Sequence, residues 1–233
     1  MDFRWTYLLL SGLFLAIWLV FFLIRKDLRR ELLLISIAFA IPGLLSDIIY
    51  TVDWWSPATV TGTRVGVESV ITGFALAGIA AVLYSVVFQK RERRLPNRKP
   101  NLTRRHIILP ILLAVIFFGA FFLFRLNTFW ATTLAFSIPT IILWIQRPDL
   151  IKDSLMTGLL LLTVAIVVYS ILELLTPGWV QEFWYFRNVP NIVILSVPVD
   201  DWLWYFFAGA FIGPLYEYYY SVKLVDRKKK EKK

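Results

Sequence analysis

Cysteine is absent from this chain, and histidine occurs only once, as His106 in a basic segment. Disulfide bonds and thiol chemistry are therefore excluded, and a metal site built from histidines is nearly excluded, because a single histidine is available as a ligand. The sequence has no G-x-G-x-x-G motif, so a redox role has no visible flavin or nicotinamide site. We therefore expect a protein that uses neither a metal nor a cofactor.

Charged residues are also few, at 18% of the chain, whereas 58% of the residues are hydrophobic and the mean hydropathy is +0.67. Soluble domains are only about 45–50% apolar, so this composition predicts an integral membrane protein. Seven apolar segments reach the length that crosses a bilayer, near residues 5–24, 31–50, 66–88, 107–125, 128–146, 154–175 and 202–222. The runs are continuous rather than alternating, which predicts an all-α protein without strands.

The formal net charge is +9, but the Lys and Arg residues cluster beside the apolar segments. Membrane topology explains this pattern better than binding to nucleic acid. Of the 25 basic residues, 21 lie in one set of loops and the C-terminal tail. The positive-inside rule therefore predicts a multi-pass cell-membrane protein with its N-terminus outside and its C-terminus in the cytoplasm. We expect the Lys-rich tail, 228–233, to act as a topology anchor or to contact anionic lipid.

The chain contains an internal repeat. Residues 25–28, Arg-Lys-Asp-Leu, end the first apolar segment, and residues 147–150, Arg-Pro-Asp-Leu, end the fifth. Three further pairs share a constant offset of 132: Glu68 with Asp200, Phe74 with Phe206 and Tyr84 with Tyr216. Two parallel three-helix repeats need one extra crossing between them, which predicts seven transmembrane helices in total. We expect repeats at 1–90 and 128–233, joined by a basic cytoplasmic loop and linking helix at 91–127.

Two adjacent carboxyl groups, Asp200 and Asp201, precede the aromatic last segment, and Glu68 is their counterpart in the first repeat. A charged group inside a membrane is costly, so it is a functional candidate. Two neighbouring carboxyl groups do not both ionise cheaply, and a retained proton suits acid catalysis. Because Asp also caps helices well, these residues act either as catalytic acids or as N-caps. We expect Asp47 and Glu173 to pair with Arg64 or Arg187 in a structural role.

Aromatic side chains surround these acids in sequence. Trp202, Trp204 and Phe206 follow the Asp pair, and Phe74 occupies the position equivalent to Phe206. Their π faces would stabilise a carbocation, although packing or lipid contact also explains aromatic residues here. We expect Pro214 to kink the last helix.

Two classes of membrane protein are excluded by missing residues. A seven-helix retinal protein needs a lysine within its last helix, and this chain has none there before Lys223. Membrane prenyltransferases hold Mg²⁺ between spaced Asp-rich motifs, whereas the predicted cytoplasmic loops contain a single D-x-x-x-D run, Asp149 to Asp153, and no second one to face it.

The repeat and its acid motif resemble the lycopene cyclase domain family of membrane-embedded carotenoid cyclases. The stretch Pro198-Val199-Asp200-Asp201-Trp202 resembles the family's Pro-x-acid-acid-aromatic motif. In the first repeat, Gly66-Val67-Glu68-Ser69-Val70 has glycine in place of the proline and serine in place of the second acid.

The resemblance implies a redox-neutral cyclisation of a linear carotenoid taken from the bilayer, without a cofactor. It implies Asp200 or Asp201 as the proton donor, Glu68 as the facing carboxyl group, and Trp202 and Trp204 near the cation. A different class remains open: a non-enzymatic transporter, or a protein that binds lipid or isoprenoid on the same repeat.

Overall fold

The computed structural model describes residues 3–95 and 102–227, with only the backbone for 102–107. The His106 side chain and the tail 228–233 therefore lie outside the described part. The first half contains helices α1 (Thr6–Ile24), α2 (Arg29–Tyr50) and α3 (Val67–Val87). Helix α4 (Leu102–Phe118) follows, and the second half contains α5 (Thr128–Gln146), α6 (Ile151–Leu175), the short α7 (Trp179–Phe183), α8 (Val199–Ile212) and α9 (Leu215–Tyr220).

Within the described ranges, five helices are long and apolar enough to cross a membrane: α1, α2, α3, α5 and α6, of which α2 and α6 are extended by the short turns before them. This confirms a mostly helical protein and five of the predicted apolar segments, and it is compatible with an all-α membrane protein. The fourth predicted segment forms a shorter apolar helix, Ile108–Leu123, whose last turn is a π-helix at Gly119–Leu123. The number of seven crossings therefore stays a prediction.

The seventh predicted segment, 202–222, differs from the structure in its bounds. It begins at Val199 and is interrupted between α8 and α9 at Gly213 and Pro214. Proline has no N–H to donate to the Ala210 carbonyl oxygen four residues earlier. That oxygen instead accepts a hydrogen bond of 2.5 Å from Ser154 Oγ on α6. At Pro214, where the sequence predicts a kink, the helix is thus interrupted, and a neighbouring helix replaces the lost hydrogen bond.

The third helix of each half packs between the other two. Helix α3 contacts α1 and α2, and α8 contacts α5 and α6. The two halves meet where α3 packs against α6 and α8, while α4 packs on α5. This arrangement brings the starts of α3 and α8 to the same end of the bundle, which we call the acid end.

The opposite end is organised by a buried arginine in each half, and we call it the arginine end. In the first half, Arg25 donates to Asp27 through Nε and Nη2, at 3.0 and 2.9 Å. The same guanidinium donates to the carbonyl oxygens of Ser85 and Lys90, both at 2.6 Å. Arg25 therefore ties the turn after α1 to the end of α3.

Arg147 makes the same set of contacts in the second half. It donates to Asp149 at 2.8 and 2.7 Å and to the carbonyl oxygens of Glu217 and Val222 at 3.0 and 2.8 Å. Arg147 follows Arg25 by 122 residues, whereas Glu217 follows Ser85 by 132. The structure therefore relates the first two helices of the halves by an offset of 122 and the third helices by 132.

Short strands occur where the sequence predicts none. Strand β1 (Lys90–Arg94) pairs antiparallel with β4 (Val222–Asp226), and β2 (Val193–Ile194) pairs with β3 (Val197–Pro198). The Lys90 ammonium group donates to Asp226 at 2.5 Å, and this hydrogen bond holds the pKa of Asp226 below its usual range. Because these strands are short and lie outside the apolar runs, periodicity did not reveal them.

Candidate active site

Asp200 and Asp201 lie in the first turn of α8 and are buried, with 1% and 4% of their surfaces exposed. The N-cap residue of α8 is Pro198, and no side chain caps this helix. Neither aspartate is therefore the N-cap, and that alternative is wrong for both. Their carboxyl groups are instead held by side chains from other elements.

The carboxyl group of Asp200 is hydrogen bonded on one side only. Its Oδ2 atom accepts from Trp54 Nε1 at 2.5 Å, whereas its buried Oδ1 atom has no partner in the described part of the chain. The Trp54 ring contacts the rings of Tyr50, Phe129 and Trp204, with centroids 4.9, 5.5 and 6.4 Å apart. Asp200 thus presents an open carboxyl oxygen within a layer of aromatic rings.

Asp201 points into a chain of hydroxyl groups. Tyr169 on α6 donates to its Oδ2 atom at 2.5 Å, and the Tyr205 hydroxyl donates to that of Tyr169 at 3.3 Å. The indole of Trp184 lies beside the same carboxyl group and contacts the Tyr169 ring at 6.1 Å. The two aspartates therefore differ in environment, since only Asp201 has a tyrosine as its donor.

Glu68 has the equivalent position at the start of α3 and is fully buried. The N-cap of α3 is Gly66, so the capping alternative is wrong for Glu68 as well. Its Oε1 atom accepts from the backbone N–H of Val60 at 2.7 Å, and its Oε2 atom has no partner among the described residues. A Cβ atom at position 66 would overlap with Oε2. The absence of a side chain at Gly66 therefore makes room for the Glu68 carboxyl group.

Asp47 does not pair with arginine, contrary to the sequence-based expectation. It accepts from the hydroxyl groups of Tyr7 and Ser69, each at 2.6 Å, and from Trp55 Nε1 at 3.2 Å. Arg64 instead donates to Thr51 Oγ1 at 2.6 Å.

Glu173 differs from its expected pairing in the same way. Its Oε1 atom accepts from the backbone N–H of Gly178 at 2.9 Å. The Arg187 guanidinium lies over the Tyr185 ring, 5.5 Å from its centroid.

Two consecutive tryptophans connect the acids of the two halves. Trp54 donates to Asp200 in the second half, and Trp55 donates to Asp47 in the first. The Trp55 ring lies 5.2 Å from that of Trp184, and the two residues also form a backbone bridge. The loop after α2 therefore holds carboxyl groups of both halves at one end of the bundle.

The predicted aromatic residues lie at different depths. Trp202 and Trp204 are half-buried in the first turns of α8, and Trp204 contacts the ring of Phe136 at 6.4 Å. Phe206 packs against the backbone of α6 at Gly158, and Phe74 contacts Trp18 at 5.0 Å. These phenylalanines are six residues beyond Asp200 and Glu68, or about 9 Å deeper along their helices.

Basic side chains do not neutralise these acids. Within residues 3–95 and 102–227, the ion pairs are Arg25 with Asp27, Lys90 with Asp226 and Arg147 with Asp149. A buried carboxylate without a cation is costly, and two neighbouring ones are more so. Among the described residues, the acids of this end are therefore held by neutral hydrogen-bond donors and not by cations.

Sequence reasoning did not identify most of the groups that hold the acids, namely Tyr7, Trp54, Trp55, Tyr169, Trp184 and Tyr205. Asp47 and Tyr169 share the offset of 122 that relates the two arginine motifs. That offset, applied to the second helices, was the signal that could have found Tyr169.

These features define a membrane-embedded helical protein of two related halves, with buried carboxyl groups among aromatic rings. A family model described as lycopene cyclase matches residues 4–87 and 127–219. The chain therefore belongs to the lycopene cyclase family, in a two-repeat form, which confirms the resemblance noted in the sequence. Membership links it to carotenoid biosynthesis in a general sense. Neither the comparison with curated proteins nor that with solved structures gave a match.

Proposed function

We propose that this protein cyclises the end of a linear carotenoid by a proton-initiated isomerisation, the reaction of a lycopene cyclase-type intramolecular lyase. The observation that carries the proposal is the open Oδ1 atom of Asp200, a buried carboxyl oxygen without a partner among the described residues. It lies next to the aromatic layer of Trp54 and Trp204. Such a group suits the delivery of a proton to an apolar double bond.

The reaction needs no net change in protons or electrons. The acid protonates the terminal double bond, and the neighbouring double bond attacks the resulting cation to close a six-membered ring. A base then removes a proton and leaves one ring double bond. Aromatic π faces stabilise a nearby cation by about 0.5–2 kcal/mol.

We assign Asp200 as the proton donor because its carboxyl group has the open oxygen, and Asp201 as its neighbour held by Tyr169. Glu68 is the facing carboxyl group of the first half. Trp202 and Trp204 line the substrate near the cation, with Phe206 and Phe74 further inside the bundle. The carotenoid enters from the bilayer, which already dissolves it.

The proposal includes seven crossings, with α4 and the interrupted pair α8–α9 added to the five long helices. The basic residues then keep the arginine end and the C-terminus in the cytoplasm, and the acid end faces outward. Carboxyl groups that lie on opposite faces of the bundle would contradict this arrangement, and so would an N-terminus in the cytoplasm.

Expression in a bacterial host that accumulates lycopene, followed by pigment analysis, tests the function. We expect carotenoids with cyclic ends in cells that carry the wild-type chain and only linear carotenoid in cells with the empty vector. Carotenoid that copurifies with the protein but stays linear would support a binding or transport protein instead and would refute the cyclase proposal.

A further inference from the structure

The second half pairs an acid on its third helix with a hydroxyl group on its second helix. Asp201 on α8 accepts from the Tyr169 hydroxyl on α6 at 2.5 Å. Asp201 is also the neighbour of Asp200, which has the open carboxyl oxygen. The functional unit of this half is therefore one open carboxyl group next to one hydroxyl-bound carboxyl group.

The first half contains the same pair with the two groups exchanged between helices. Ser69 on α3 precedes Asp201 by 132 residues, and Asp47 on α2 precedes Tyr169 by 122. The Ser69 hydroxyl donates to Asp47 Oδ2 at 2.6 Å. The carboxyl group has thus moved from the third helix to the second, and the hydroxyl group has moved the other way.

The exchange is supported by contacts at both ends of the bundle. The offsets of 122 and 132 are those that relate the matching contacts of Arg25 and Arg147 at the arginine end. At the acid end, Asp47 is only 6% exposed and accepts two further hydrogen bonds, from Tyr7 and Trp55. A hydrogen bond that only joins two packed helices needs one donor, whereas the buried Asp47 carboxyl group has three.

We propose that Asp47 is the missing second carboxyl group of the first half and that it works with Glu68 as Asp201 works with Asp200. Glu68 has the open oxygen, and in the proposed function it is the carboxyl group of the first half that faces the substrate. Asp47 is a positioning residue: it fixes the first turn of α3 through Ser69, the neighbour of Glu68, and adds a second carboxyl group to that site. This inference rests on the proposed cyclase function and gives the first half a complete carboxyl pair.

The test exchanges the two groups again, back to the pattern of the second half. In Asp47→Asn the amide N–H₂ would face one of the three donors, so this variant should displace the first turn of α3 and lower the ratio of cyclic to linear ends by about 10²-fold, the order that small misplacements of reacting groups cost. The double variant Asp47→Ser/Ser69→Asp places the acid on α3 and the hydroxyl group on α2, and should recover to within about tenfold of wild type. Ser69→Ala keeps the carboxyl group and should cost only about fivefold, the equivalent of one ordinary hydrogen bond.

Asp53→Asn is the matched control, because Asp53 lies at the same end but accepts from the backbone and side chain of Thr128. It should cyclise as wild type does, since Asn keeps an acceptor oxygen. All ratios are normalised to the amount of protein in the membrane, and thermal unfolding in detergent is measured in parallel. A purely structural Asp47 would change the unfolding temperature and the protein level, but not turnover per molecule.

The outcomes separate this inference from the proposed function. Wild-type turnover by Asp47→Asn would overturn the inference alone, because the role of Asp200 would be unaffected. Absence of cyclic product from the wild-type chain would overturn both. If the Asp47→Asn protein does not accumulate in the membrane, the double variant decides. A double variant that accumulates and cyclises the carotenoid supports the inference. A double variant that accumulates without cyclising it, or that does not accumulate, overturns the inference.

Discussion

Replacement of Asp200 by asparagine separates the proton it would donate from the hydrogen bond it accepts. The Asp200 Oδ2 atom accepts from Trp54 Nε1 at 2.5 Å, and an asparagine oxygen can take over that contact. The amide group cannot deliver the proton that starts cyclisation. We therefore expect Asp200→Asn to fold and accumulate as wild type does, with cyclisation reduced by about 10²–10⁴-fold.

Asp200→Ala, unlike Asp200→Asn, should lower the stability of the folded protein. It removes the acceptor and leaves the buried Trp54 N–H unpaired, at a cost of about 1–3 kcal/mol. No additional capping energy is lost, because the N-cap of α8 is Pro198 and no side chain caps the helix. The alanine variant should therefore be less stable than the asparagine variant, and both should lose cyclisation to the same extent.

The assay is the ratio of cyclic to linear carotenoid in host membranes, normalised to protein level. Glu173→Gln serves as the control, because Glu173 also lies near the acid end but accepts only a backbone N–H in the described contacts. It should retain wild-type turnover. Wild-type turnover by Asp200→Asn would refute the assignment of this residue as proton donor, and Asp201→Asn would then be the variant to measure.

Two further predictions concern orientation and the first half. A reporter fused after Lys233 should be cytoplasmic and one inserted near Pro57 should be external; the reverse labelling would contradict the outward placement of the acid end. Gly66→Ala should accumulate normally but cyclise up to about 10²-fold less, because its Cβ displaces the flexible end of the Glu68 side chain. Small misplacements of reacting groups reduce rates by about that factor. Glu68→Asp, added to Gly66→Ala, should restore part of the loss; no change in turnover for the single variant would show that the position of Oε2 does not matter.

Sequence periodicity predicted the helices well where the apolar runs are uninterrupted. The predicted segment 128–146 has the bounds of α5, and the predicted 5–24 differs from α1 by one residue. The last segment was less accurate, because Pro214 divides it and its first turn, from Val199, is polar. Hydropathy measures apolar length, so it does not detect a helix that starts with two buried aspartates.

The partners of the acids were harder to predict than the acids themselves. The bond from Trp54 to Asp200 joins residues 146 positions apart, and the one from Ser69 to Asp47 crosses between two helices. Only the packing of the helices brings these groups together. The sequence pointed to Asp47 as an acid near a helix end, but the arginines predicted to pair with it, Arg64 and Arg187, are not its partners.

Comparison of the two halves explains why the first motif differs from the second. Glu68 is one methylene longer than Asp200, and it is accommodated because Gly66 has no side chain where Pro198 has a ring. The longer acid and the smaller neighbour therefore form a matched pair, as do the exchanged acid and hydroxyl groups between α2 and α3. If the first motif had lost its function, its departures from the second motif would have no reason to occur at pairs of residues that contact each other. We infer that the first half keeps a working carboxyl site in a different arrangement, and this is why we expect substitutions in it to reduce turnover as those in the second half do.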